Sequence, residues 1–486
     1  MLHEVKSLNE ECGIFGIWNA NNAAEYAYFG MHSLQHRGQE GAGIVSFDDK
    51  NIYMHKGEGL LSKIFADKNN LNKLTGRSAI GHIRYATAGS HGLQNIQPFF
   101  FNDPRMPFAI SHNGNLTNAK SLRDDLTDNG AHFQADSDSE LLGSLMMLDQ
   151  HESFIDRLKV SLKKLHGGFA FIIMTPKGML GVADPHGLRP IVLGKTKAGS
   201  YILCSETCAL DAVNAQYVRD VQPGELVHID NNDYKIDHYT PSQGLSICSL
   251  EYIYFARSDS IIHGVSVHSA RKKMGIQVAK EHPVKADVVI GVPNSSLDAA
   301  LGYAEASGIP FDMGMIKNQY VARTFIEPTQ DKRELGVSMK LAAVKSVVSG
   351  KDIVLVDDSI VRGTTSKYIV QLLKEAGAKS IHVRIASPVI KYPCFYGVDI
   401  ESKTELIGAN QSVAEIKNTI GADSLGYLSV DGLIKSINLN CNNKYHGLCT
   451  AYFDGQYPTD LDDYKAKYDE ETEQIKAHKG AEQFVR

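Results

Sequence analysis

Residues 353–366 read I-V-L-V-D-D-S-I-V-R-G-T-T-S, an apolar strand that runs into two adjacent carboxylates and then into a Gly-Thr-Thr-Ser turn. Beyond the turn, Ile369, Leu372, Leu373 and Ala376 recur at helical spacing, Gly377 is placed to end the helix, and residues 381–385 supply another apolar strand. This order predicts a β-loop-α-β unit, and such units build parallel sheets. Ligands of parallel sheets sit beyond the carboxyl ends of the strands. Backbone N–H groups at the helix start, with the Thr364, Thr365 and Ser366 hydroxyls, suit a phosphate ester. Asp357 and Asp358 would repel that anion unless they face a cation or a hydroxyl, and ribose hydroxyls or hydrated Mg²⁺ both satisfy them.

The string resembles the phosphoribosyl pyrophosphate (PRPP) motif of the type I phosphoribosyltransferases. That resemblance implies a PRPP site formed by Asp357, Asp358, Ser359, Arg362, Gly363, Thr364 and Thr365, with Mg²⁺-pyrophosphate as leaving group. A second loop, G-V-P-N-S-S at 291–296, follows a short apolar strand over 287–290 and precedes a helix from Leu297. In the resembling family this loop lies on the metal side, so Ser295 joins Asp357 and Asp358 as the expected Mg²⁺ set. Residues 317–340 are polar, rich in cations and weakly periodic, and read as a closing lid on which Lys317, Tyr320, Arg323 and Lys340 would meet pyrophosphate.

A second chemistry stands at the other end of the chain. Cys12 follows an eleven-residue charged leader and precedes the strand-like run G-I-F-G-I-W. If the leader is removed as a propeptide (1–11), the α-amine of Cys12 becomes a general base beside its own thiol. The strings L-Q-H-R-G-Q-E-G-A-G at 34–43, G-H-I-R-Y-A-T-A-G at 81–89, S-H-N-G-N-L at 111–116 and D-S-D-S-E at 136–140 follow in order. Together with Cys12 they resemble the N-terminal-nucleophile glutaminase domain of class II amidotransferases. A glutaminase needs donors for a developing oxyanion, which the Asn113 amide and the Gly114 N–H can supply. The resemblance assigns the glutamine carboxylate to Arg84 and its ammonium to Asp138, with Thr87 beside them. The spacings of His36, His82 and His112 match no recurring metal pattern, so they read as hydrogen-bonding scaffold.

From Cys12 to about residue 237 short apolar strands alternate with Gly and Asn-Gly turns, as at 169–174, 181–184 and 201–204, and helical patterns occupy 139–148 and 154–165. Two packed sheets with flanking helices are expected. A polar stretch over 228–243 reads as a last hairpin and linker. The expected organisation is an α+β N-terminal-nucleophile (αββα) glutaminase domain over 12–240, then an α/β type I phosphoribosyltransferase domain with a parallel sheet over 250–465, then a charged tail over 466–486.

Over about 460 residues the chain resembles the glutamine PRPP amidotransferase family, whose members begin de novo purine synthesis. The resemblance implies glutamine hydrolysis, passage of ammonia between two sites, and displacement of pyrophosphate from PRPP to give 5-phosphoribosylamine. It also implies inhibition by purine nucleotides and a homotetramer. The chain departs from the common pattern at Gln319 and Ser338. Some relatives hold a four-iron, four-sulfur cluster on four cysteines. Cys248, Cys394 and Cys449 match three of those positions, but the fourth is Tyr452, a poor substitute for thiolate.

The formal charge of −6 argues against a nucleic-acid surface, and 43% hydrophobic with 22% charged residues is a globular composition. The polar start resembles no secretory signal and no apolar run reaches a membrane-spanning length, so a cytoplasmic protein is expected. Seven scattered cysteines suit reduced thiols. The alternative is a non-catalytic regulator that senses PRPP. It would keep residues 353–366 but would not need Cys12, Arg84, Asn113 and Asp138.

Overall fold

The computed structural model describes residues 12–48, 51–85, 92–318, 341–398, 400 and 402–483. The first half is built on two antiparallel sheets. One has seven strands in the order Ala215–Asp220, Val192–Thr196, Tyr201–Cys204, Gly13–Trp18, Ser78–Arg84, Gly41–Phe47 and Ile52–Glu58. The other has six, in the order Tyr234–His238, Glu225–Ile229, Gly178–Ala183, Gly167–Thr175, Phe108–Leu116 and Phe99–Phe101.

Strand periodicity explains why the two sheets stack. Along Gly13–Trp18, Ile14 and Trp18 join Ile80, Val45, Ala170 and Ile172 in the core between the sheets. Phe15 and Ile17 point the other way and pack with Ala23, Ala27 and Met31 of the helix Ala23–Ser33. The second sheet repeats the arrangement: Phe169, Phe171 and Ile173 meet Leu141, Leu145 and Leu158 of the helices Ser139–Leu148 and Phe154–Leu162. Strands buried on both faces carry few polar residues, and the outcome is the expected αββα sandwich.

In the second half a four-stranded parallel sheet runs Val288–Gly291, Asp352–Asp357, Ser380–Ile385 and Ser424–Tyr427. Ile353, Leu355, Ile381 and Val383 face Ile369, Leu373 and Ile416 of the helices Thr364–Glu375 and Val413–Ile420. Val354 and Val356 face Ala270, Met274 and Ala300 of the helices Val267–Glu281 and Leu297–Ser307. The C-terminal stretch Lys465–Gln483 is helical, and Glu471 accepts the Ser402 hydroxyl at 3.0 Å and the Lys403 N–H at 2.8 Å.

The helices Val267–Glu281 and Leu297–Ser307 approach closely because each has a glycine at the contact. A Cβ on Gly275 would lie 1.8 Å from the Ala299 carbonyl oxygen, and one on Gly302 would lie 1.9 Å from that of Lys272. Backbone cannot yield as a side chain can, so Gly275→Ala should destabilise the protein by about 1–3 kcal/mol through overpacking. The check is the denaturant midpoint. An unchanged midpoint would show that the helix pair is not closely packed.

Candidate active site

Two groups of the residues singled out above are brought together, one in each half. In the first, Gly13 pairs with Ile83 and Gly41 with Arg84, which sets Cys12 beside the end of the strand carrying Arg84. The Cys12 thiol donates to the Tyr85 carbonyl oxygen at 3.5 Å. Asn113 is 1% exposed, and its Nδ2 meets no acceptor among the described residues. An amide donor left this way costs free energy unless a ligand oxygen meets it. Gly114 has φ +138, and a Cβ there would lie 2.1 Å from the Gly168 carbonyl oxygen, so only glycine fits.

Asp138 is buried beside them. It accepts the Leu116 N–H at 2.9 Å and the Ser139 hydroxyl at 3.4 Å, and the His112 ring lies 3.6 Å away. Burial pushes its carboxyl up, but His112 and these hydrogen bonds outweigh it and hold the group below its ordinary range. Asp138 is therefore an anion able to receive a cation. His82 and His112 are scaffold, as expected: His82 Nε2 meets the His112 carbonyl oxygen at 3.1 Å and His112 Nδ1 meets Ser139 Oγ at 2.8 Å.

The second group lines a cavity of about 490 Å³ at the carboxyl ends of the parallel strands. Asp357, Asp358, Ser359, Arg362, Gly363, Thr364 and Thr365 all border it, as do Ser295 and Lys317. Gly363 has φ +80 and opens the helix Thr364–Glu375, whose free N–H groups face the cavity and suit a phosphate. Ser295 donates to Asp358 Oδ2 at 2.5 Å, Ser359 to Asp358 Oδ1 at 2.7 Å, and Ser296 to Asp357 Oδ1 at 3.0 Å. Burial pushes both carboxyls up, and for Asp357 the neighbouring Asp358 adds to it. Such a pair gains from a divalent cation, and this all-oxygen donor set fits Mg²⁺ completed by water or substrate oxygens. Arg362 is held by Glu405, with Nε donating at 2.9 Å.

Thr87, Tyr320, Arg323 and Lys340 lie outside the described residues, as do the leader 1–11 and most of the lid. Sequence reasoning passed over several cavity residues. Arg271 is buried on the helix Val267–Glu281, Arg257 and Ser258 come from the segment before it, and His36 comes from the first half. His36 belongs to the L-Q-H-R-G string, which was read only for the glutaminase. Its place in the other cavity depends on how the two halves meet.

A glutamine amidotransferase domain model matches residues 82–212 and a phosphoribosyl transferase domain model matches residues 270–392. The amidophosphoribosyltransferase of Staphylococcus epidermidis is 54% identical over 461 residues, covering 95% of this chain and 93% of that protein. The amidophosphoribosyltransferase of Bacillus subtilis is 51% identical over 462 residues, covering 95% and 97%. The chain belongs to the amidophosphoribosyltransferase family. Amidophosphoribosyltransferases are enzymes of purine biosynthesis, and this chain joins their two domains in the expected order. The solved glutamine PRPP amidotransferase of B. subtilis, in complex with ADP and GMP, superposes with a TM-score of 0.88 at 50% identity and covers 93% of this chain and 98% of that one. A structure described as the allosteric regulatory enzyme of purine biosynthesis gives 0.89 at 51% identity, with 93% and 97% covered.

The cysteine positions do not fit a four-iron, four-sulfur cluster. Cys248 and Cys449 sit side by side on paired strands, and Tyr452 is buried. Its hydroxyl donates to Cys394 Sγ at 3.2 Å and lies 3.3 Å from Cys248 Sγ. Two thiols bridged by a phenol, with the buried Cys449 thiol nearby in the strand pair, form a packed corner with a hydroxyl where a fourth thiolate would be needed. Among the described residues no group of three or more His, Cys, Asp or Glu side chains is arranged to hold a metal, and no helix is long and apolar enough to cross a membrane.

The His82 ring is pushed down to about 3 by burial, with Arg84 and His112 adding to it. The unfolded chain then binds the extra proton first, at its ordinary 6.5, so this stability is present above that value and drains as pH falls toward 3. Asp184, raised to about 6 by burial, acts with the opposite sign, so the test is a difference. His82→Gln should keep the bond to His112 and show a shallower fall in melting temperature between about pH 7 and about pH 5 than the parent. Parallel curves would contradict this.

Proposed function

We propose that the chain hydrolyses glutamine at Cys12 and passes the ammonia to PRPP, giving glutamate, 5-phosphoribosylamine and pyrophosphate. The observation that carries the coupled reading is the cavity at Asp357 and Asp358, whose wall includes His36 from the glutaminase half.

At the glutamine site, Arg84 clamps the substrate carboxylate, Asp138 takes its ammonium and Thr87 assists. With the leader 1–11 removed, the Cys12 amine accepts the thiol proton as sulfur attacks the side-chain amide carbon. Asn113 Nδ2 and the Gly114 N–H receive the oxyanion, ammonia departs, and water hydrolyses the thioester to glutamate. The Asn113 donor is unpartnered among the described residues, and this supports its part.

At the other site, the N–H groups and hydroxyls of Gly363, Thr364 and Thr365 hold the 5-phosphate. Asp357, Asp358 and Ser359 meet the ribose, and Lys317, Tyr320, Arg323, Lys340 and Arg362 meet the phosphates. Ser295, Asp357 and Asp358 would hold Mg²⁺, which when bound offsets the charge of pyrophosphate. Ammonia attacks C1, the bond from C1 to the pyrophosphate oxygen breaks, and the new amine loses a proton. Residues 12–240 form the glutaminase and 250–465 the transferase. The protein works in the cytoplasm as a homotetramer, and purine nucleotides bind it, a reading supported by the ADP and GMP complex of the B. subtilis relative.

Cys12→Ser should abolish pyrophosphate release with glutamine but retain it with ammonia. Asn113→Ala should lower glutamine hydrolysis about 10²–10³-fold, the loss typical of one oxyanion donor. Asp358→Asn should cripple the reaction with either nitrogen source. The check is a coupled pyrophosphate assay. If Cys12→Ser still used glutamine, the assigned nucleophile would be wrong, and if the parent released no pyrophosphate with either donor, the reading as a PRPP sensor would replace this one.

A further inference from the structure

Gln97 lies outside every motif assigned to the glutamine site, yet its buried side chain ties two parts of that site together. Oε1 accepts the His112 N–H at 2.7 Å, and Nε2 donates to Ser139 Oγ at 2.9 Å. A backbone N–H can only donate, so the orientation of the Gln97 amide is fixed and Nε2 must face Ser139. Asn95, also buried, accepts the Asp136 N–H at 2.9 Å, so the same segment grips the loop 136–139 at a second point. The segment is itself seated on backbone. A Cβ on Gly43 would lie 2.5 Å from the Gln97 carbonyl oxygen, and Gly43 pairs with His82, two residues before Arg84.

Counting donors places the hydrogens of this cluster. Asp138 lies 3.6 Å from His112 Nδ1, and an anion there favours hydrogen on that nitrogen. Nδ1 then donates to Ser139 Oγ at 2.8 Å, beside the Gln97 donor. Both lone pairs of the Ser139 hydroxyl are thereby filled, and its single hydrogen is left to donate. Its neighbours are Asp138 Oδ1 at 3.4 Å and Ser137 Oγ at 3.2 Å, and the charged oxygen attracts it more strongly than the neutral one. With the Leu116 N–H on Oδ2, both oxygens of Asp138 are held, and lone pairs remain for a cation.

We propose that Gln97 is a positioning residue of the glutamine site: through Ser139 and His112 it aims Asp138 at the substrate's α-ammonium, and so selects amides that carry one. The proposal rests on the glutaminase reading above, in which Asp138 receives that ammonium. Gln97 itself touches no substrate.

The experiment uses the full-length protein and compares glutamine with 4-carbamoylbutanoate, which is glutamine without its α-amino group. The parent should favour glutamine by about a hundredfold or more in kcat/KM, because a site built to hold a polar group rejects the analogue that lacks it. Gln97→Met keeps the length but neither hydrogen bond. It should lower that preference about tenfold, mainly by raising KM for glutamine, and leave ammonia-supported pyrophosphate release within about twofold. A merely structural role would lower hydrolysis of both amides alike and keep the preference. Ser139→Ala removes the hydroxyl between Gln97 and Asp138 and is read by the same criterion, so the proposal stays testable if Gln97→Met does not fold. A preference unchanged in the variants overturns the proposal, as does a parent that hydrolyses both amides equally well. A parent that hydrolyses neither overturns the glutaminase reading itself.

Discussion

Arg37 is a fully buried guanidinium between two fully buried carboxylates, Glu206 of the first half and Glu251 at the start of the second. Its Nη1 donates to Glu251 Oε1 at 3.2 Å, and Arg189 Nη1 lies 3.9 Å from the same oxygen. Arg189 in turn donates through Nε at 2.8 Å to the Tyr396 carbonyl oxygen of the transferase half. Charges taken this far from water are tolerable only when every partner is present, and removal of one costs about 3–5 kcal/mol. The network therefore specifies how the halves meet, because any other docking would strand a charge.

What the network holds is the backbone at both candidate sites. Tyr396 precedes Gly397, where a Cβ would lie 3.1 Å from the Gly114 carbonyl carbon, so transferase backbone presses on the glutaminase strand that carries Asn113 and Gly114. Asn115, two residues on from Asn113, donates to the Phe395 carbonyl oxygen at 2.9 Å. On the other side the segment after Glu251 supplies Tyr254 to Ser258 to the cavity wall. Two rigid αβ cores thus support one shared seam, and each site lies against it.

Much of this was legible in the sequence because it is local. The run 353–366 encodes strand, carboxylates, glycine turn and helix start within fourteen residues, and the structure gives the strand Asp352–Asp357 and the helix Thr364–Glu375. The helix Ser139–Leu148 and the strand Tyr201–Cys204 fall where their apolar patterns put them. The pattern over 154–165 ends earlier, at Leu162, because the last apolar residue, Leu165, packs from the turn that follows. What sequence could not show is pairing at long range. Arg37 and Glu251 are 214 residues apart, and Arg189 and Tyr396 are 207 apart, so no local spacing links them. The role of Tyr452 was likewise readable only as a missing cysteine. Its hydroxyl between two sulfurs is a matter of packing.

The central claim is that the two sites work as one unit across this seam. The most direct measurement supplies glutamine labelled with ¹⁵N at the side-chain amide together with PRPP and an excess of unlabelled ammonium, and reads the isotope in the amine product. The account predicts product enriched in ¹⁵N far above the ammonium in solution, because nitrogen passes from one site to the other without mixing. Product with the same isotope content as the free ammonium would contradict it.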